Sequence, residues 1–202
     1  MNLFGVNTAL FQAQIDFCRV DFSHSLFSLS QLFDIIYTNI VEKAINVLDI
    51  KQFRECIIKP VLSELQLYSK EAEELLVFTC AVESEGGTYI KQVKGPAVGI
   101  YQCEPATHTD IWRNYIFNHS HLLSILGMNF GVHNVPDSDK LISDMRYATA
   151  IARIHYLRVL QAIPSTGNID SIYEYYKKFY NTVAGKSSKD KSIAAYNRFI
   201  KG

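Results

Sequence analysis

The sequence predicts a mainly α domain with one small β excursion. Three observations carry this. Apolar residues recur at helical spacing over most of the chain, Ser, Asp and Pro stand where helix starts need them, and a short β-prone run, TYIKQV (88–93), follows a double glycine. At 202 residues, 48% of them hydrophobic and 12% aromatic, the chain suffices for one well-buried core plus an appendage.

Taken in order, residues 1–30 are rich in Phe, Leu and Ser without a clean period. QLFDIIYTNIVEKAINVL (31–48) then sets apolar residues at 32, 36, 40, 44 and 47, one helical face. A change of texture near residue 50 divides an apolar, aromatic segment (1–50), expected to pack or dock against something, from the main domain (51–202). In that domain FRECIIKPVLSEL reads as one helix. Ser69 is the N-cap of KEAEELLVFTCAVES, with Glu71, Glu73 and Glu74 suited to the positive helix end and Gly86-Gly87 as its stop. Pro105 starts PATHTDIWRNYIF, Asp137 or Ser138 caps the long stretch DKLISDMRYATAIARIHYLRVL, and IDSIYEYYKKFYN and SKDKSIAAYNRFI close the chain.

Composition excludes several classes of function. Twenty basic residues balance twenty acidic ones, so no global field draws the chain to nucleic acid; Lys177-Lys178 reads as a solvated face and GKSSKDKS is mixed in sign. The N-terminus lacks the basic region of a secretory signal. Asp34, Asn39 and Glu42 interrupt the best apolar run, so no membrane span is expected. Cys18, Cys56, Cys80 and Cys103 form no CxxC pair and read as free thiols of a reducing compartment. His119, His121 and His133 lack ligand-like spacing, and neither a metal nor an organic cofactor is expected.

The chemistry gathers at Glu83. It follows the apolar run LLVFTCAV and precedes two glycines that let the chain turn, so its carboxyl can face a cleft partly desolvated. Desolvation penalises the charged form, which keeps a carboxylic acid protonated near neutral pH and able to protonate a leaving oxygen. Glu85 does not pair with it, because residues two apart on a helix face different ways.

Glu83-Ser84, followed by Gly99-Ile100-Tyr101-Gln102-Cys103-Glu104-Pro105-Ala106-Thr107, resembles the paired "ES" and "GLMQxxPAT" motifs of the lytic transglycosylase and goose-type lysozyme family. GPAVGIYQCEPATHTDIW is similar to the phage-encoded branch, as are ARIHYLRVL and YEYYKKFYNTVAGK further on. The resemblance covers roughly residues 52–186. It implies a lysozyme-like fold and a muramidase that cuts the MurNAc-GlcNAc β-1,4 bond of peptidoglycan. Glu83 is then the catalytic acid and base, Ser84 orients it, Gly99 allows close backbone approach at the cleft wall, and Tyr101 and Gln102 line the cleft. Tyr180-Asn181 matches the family's Tyr-Asn element, whose tyrosine lies near the catalytic carboxyl, with Tyr175 or Tyr176 as alternatives. Glu104 stands where the family has Met, and is either a second carboxylate in the cleft or a residue that starts the next helix; hydrolase and transglycosylase both remain open, with Asp110 as another possible partner.

The same resemblance implies an enzyme made in a bacterial host's cytoplasm and carried in a virion, where it opens the cell wall, with residues 1–50 binding neighbouring virion proteins. An endolysin, or a virion docking protein with the fold and little activity, are the rival readings.

Overall fold

A computed structural model describes residues 48–181 and 187–201. The expected helix over 31–48 and docking segment 1–50, with Cys18, lie outside the described residues except for 48–50, as does most of the turn after Asn181. What is described is mainly helical and almost without strand.

Helix α1 is a continuous run of three pieces: Ile50–Gln52, a π-helical stretch Phe53–Ile58, and Lys59–Glu64. Asp49 caps it, accepting the Gln52 N–H at 2.8 Å. Pro60 explains the wider winding: it has no N–H, and its ring would strike the carbonyl four residues back in a regular helix. The Lys59 N–H accordingly reaches back five residues, to the Arg54 carbonyl.

Helix α2, Lys70–Ser84, starts as expected, with Ser69 Oγ accepting the Ala72 N–H at 3.0 Å. Its residues from Leu75 to Ala81 are all buried, so it is covered on every side. The helices that cover it are α1, α6 (Met145–Leu157), α7 (Ile169–Tyr176) and α8 (Lys189–Lys201). Its stop begins one residue before the glycines: Glu85 already takes a left-handed conformation at φ 50°, and the Gly86 N–H closes on the Cys80 carbonyl at 3.2 Å.

The β excursion is smaller than the sequence suggests. TYIKQV forms no strand; two isolated bridges, Lys91 with Val98 and Val98 with Cys103, are what pairs. Left-handed residues at Lys94, Gly99 and Gln102, with Pro96 between, turn the chain too often for a ladder to propagate.

Beyond it, α3 (Pro105–Asn114) opens on its proline as expected. A 3₁₀ turn (Ile116–Asn118) leads to α4 (Ser120–Phe130), with His119 just before that helix and His121 in its first turn. The long stretch after residue 138 is broken where one helix was expected. A short α5 (Lys140–Ser143) stops at Asp144, whose Oδ1 accepts the Tyr147 N–H at 3.0 Å and starts α6. Asp144 therefore does the capping, while the Asp137 side chain accepts the N–H of Asp139. Among the described residues, no helix is long and apolar enough to cross a membrane.

Candidate active site

Glu83 lies in the last turn of α2, partly buried, with its carboxylate toward the end of α7. Its Oε1 accepts the Tyr176 hydroxyl at 2.6 Å and the Asn181 Nδ2 at 3.4 Å. Those donors are five residues apart. A regular helix would set them on different faces, but α7 passes into a second π-helical stretch, Lys177–Asn181, and i→i+5 winding makes positions five apart neighbours. The π turn is what delivers both donors to one oxygen.

Burial raises the Glu83 carboxyl above its ordinary range, and the Tyr176 and Asn181 hydrogen bonds and the Lys177 charge oppose that rise. Tyr176 is itself pushed far up, by burial and by the Glu83 charge, so it stays a donor. Oε2 of Glu83 accepts no hydrogen bond among the described residues.

Three tyrosines were candidates for the place beside the acid, and each has a distinct position. Tyr176 bonds to it. Tyr180 donates to the Tyr101 carbonyl at 2.8 Å and stacks on Tyr156 with ring centroids 5.2 Å apart, tying the 85–104 loop to α7. Tyr175 points elsewhere and donates to the Gln161 carbonyl.

The remaining motif residues build the turn and the loop around Glu83. Ser84 is buried; its hydroxyl donates to the Cys80 carbonyl at 3.0 Å and accepts the Gly87 N–H at 2.9 Å, so it fixes the turn after Glu83 without touching the carboxylate. Gly99, at φ 77°, has its close approach to α5: an added Cβ would lie 2.4 Å from the Leu141 carbonyl oxygen. The Tyr101 side chain enters the core and meets Thr149, leaving its carbonyl for Tyr180. Gln102 spends its amide nitrogen inside the loop, donating to the Tyr89 carbonyl at 3.0 Å and the Gly99 carbonyl at 2.8 Å.

Of the other carboxylates, Glu104 is exposed just ahead of α3, with no side-chain bond to the helix end. Asp110 pairs with Arg158 at 2.7 Å and accepts from Asn114, contacts that hold it below the usual carboxylate range. The buried Cys103 thiol, close enough to feel the Glu83 charge, is pushed up to about 12 by burial, too high for a thiolate nucleophile. No cluster of His, Cys, Asp or Glu that could hold a metal ion occurs among the described residues.

The structure thus brings Glu83, Tyr176 and Asn181 together, and sets Gly99, Tyr101, Gln102 and Tyr180 as the brace of the adjoining loop. Sequence reasoning left Tyr176 as an alternative and assigned Lys177 to solvent. The signal that could have found both is the five-residue spacing from Tyr176 to Asn181, which a 3.6-residue period hides. Comparison of the chain with protein-family models, curated proteins and solved structures gives no match.

Proposed function

We propose that the chain is a peptidoglycan-cleaving enzyme of lysozyme-like fold, and specifically a lytic transglycosylase acting through Glu83. The observation that carries this reading is the asymmetry of that carboxyl. Oε1 is held by a phenol and a carboxamide, Oε2 accepts no hydrogen bond among the described residues, and burial favours the protonated form.

Glu83 gives its Oε2 proton to the glycosidic oxygen as the MurNAc C1–O bond breaks. The resulting carboxylate takes the proton from the muramic C6 hydroxyl, whose oxygen closes on C1. The product is a 1,6-anhydro sugar, Glu83 is protonated again, and no water is consumed. A single carboxylate suffices for this cycle, which suits a site where Asp110 is committed to Arg158 and Glu104 bonds to neither Glu83 nor its partners. The cellular setting in this reading is a phage particle that opens the host wall.

Mass spectrometry of fragments released from purified sacculi tests the reaction. Anhydro-muramic ends from the native chain, reduced about 10²- to 10⁴-fold in Glu83→Gln, are expected. Reducing ends would make the enzyme a hydrolase, and no release by folded protein would leave the virion docking role.

A further inference from the structure

The Asn181 carboxamide has two chemically different ends, and its oxygen is occupied twice. Lys177 Nζ donates to Oδ1 at 2.8 Å and Ser187 Oγ donates to it at 3.0 Å. Turned the other way, the amide would set its NH₂ against the Lys177 ammonium, which can only donate, and its oxygen against the Glu83 carboxylate. We propose that Lys177 is a positioning residue: its ammonium, with the Ser187 hydroxyl, locks the Asn181 carboxamide so that an N–H faces Glu83 and supports the carboxylate state. This rests on the reading of Glu83 as the acid and base of the site.

The proposal explains why a lysine occupies the π turn. Lys177 Nζ reaches the catalytic carboxyl through two hydrogen bonds, to and from the Asn181 amide, and its charge acts on Glu83 directly as well. Against burial, the Tyr176 and Asn181 hydrogen bonds act in the same direction as Lys177, and the other titratable groups nearby are uncharged. Cys103 comes from the loop, Tyr156 from α6, Tyr176 from α7 and Tyr180 from the π-helical stretch that follows it, and all four are raised, so none of them carries charge near neutral pH. Burial alone would make Glu83 hold its proton more tightly and give it less readily to the glycosidic oxygen in the first half of the cycle. The Lys177 charge favours the ionised form, and so keeps the carboxyl between the two roles.

The test is a pH titration of the Glu83 carboxyl by NMR in full-length chain labelled with ¹³C at the glutamate carboxyls, with the resonance assigned by its loss in Glu83→Gln. Lys177→Met is expected to raise the Glu83 midpoint by about one unit, and Lys177→Arg to restore most of it. In an Asn181→Ala background the same Lys177→Met change is expected to move the midpoint by less than half as much, because part of its action passes through the amide. An unchanged or lowered midpoint in folded Lys177→Met overturns the proposal. So does an equal shift with and without Asn181, which would leave only a direct charge effect. If Lys177→Met fails to fold, Lys177→Gln is titrated instead, with the same criteria. The titration needs no turnover: absence of glycan release would defeat the catalytic reading while still showing whether Lys177 sets the Glu83 midpoint.

Discussion

Tyr176 acts on Glu83 by one hydrogen bond and on the core by one ring. The hydroxyl donates to Oε1 at 2.6 Å, while the ring meets Phe78 edge-on at 5.5 Å between centroids. Tyr176→Phe separates the two, because the ring contact survives and only the donor is lost. A carboxylate that loses a donor becomes harder to ionise, so the Glu83 midpoint rises further above its ordinary range. The acid form then persists to higher pH. The alkaline limb of the activity profile is expected to move up, with the maximal rate falling about 10-fold as the acid half of the cycle weakens. A profile displaced toward acid would mean that the phenol acts on the substrate and not on Glu83.

The loop between α2 and α3 shows what an element made of turns requires. Residues 85–104 have almost no ladder, and Gln102 bridges two of its carbonyls, at Tyr89 and Gly99, while the Gly99 N–H closes on Ile90 at 2.8 Å. Gln102→Ala removes both bridges without altering the backbone preference at φ 45° by much. The expected cost is about 1–3 kcal/mol, with faster hydrogen exchange at Gly99 and Gln92 and unchanged protection in α2. Uniformly faster exchange would show that the loop and the helices open as one unit. The same elements mark how far the sequence could be read. Ser69 and Pro105 start their helices as their chemistry dictates, because a cap depends on residues within one turn. The break at Asp144 is also a local cap, but its Asx bond competes with an otherwise unbroken helical period, and only packing decides between them. Both π stretches escaped notice for a different reason: apolar periodicity carries no mark of a wider winding, although Pro60 announces the first. The roles of Ser84, Tyr101 and Gln102 are of a third kind, since their partners lie in a loop whose turns no period describes.

Across the whole molecule, burial sets ionisable groups against one another, and pH reads the balance. Glu83 is raised, so its native state holds a proton that the unfolded chain has released, and its contribution to stability is lost as pH rises above about 4.5. His108 and His155 are lowered from 6.5, His155 to about 4, so the unfolded chain takes up protons that the native state refuses, and stability is lost as pH falls through 6.5. Between pH 6.5 and 4.5 acidification therefore costs stability through the histidines and restores it through Glu83. His108 is integral to a polar core, where its Nε2 meets the Tyr147 hydroxyl at 2.7 Å while Trp112 donates to the same oxygen at 2.8 Å, so replacing it disturbs three residues. His155 is the cleaner probe: its Nδ1 is buried without a partner, and its ring lies 4.9 Å from that of Tyr180. His155→Phe keeps an aromatic ring there, removes the unsatisfied nitrogen and abolishes the titration. The variant is expected to be more stable than the native chain at both pH 7 and pH 5, and the gap should widen on acidification by about 2 kcal/mol, the linkage of one histidine that ionises only when unfolded. Denaturant unfolding at the two pH values measures it. A gap that stays constant would place the acid sensitivity in His108 and its core network.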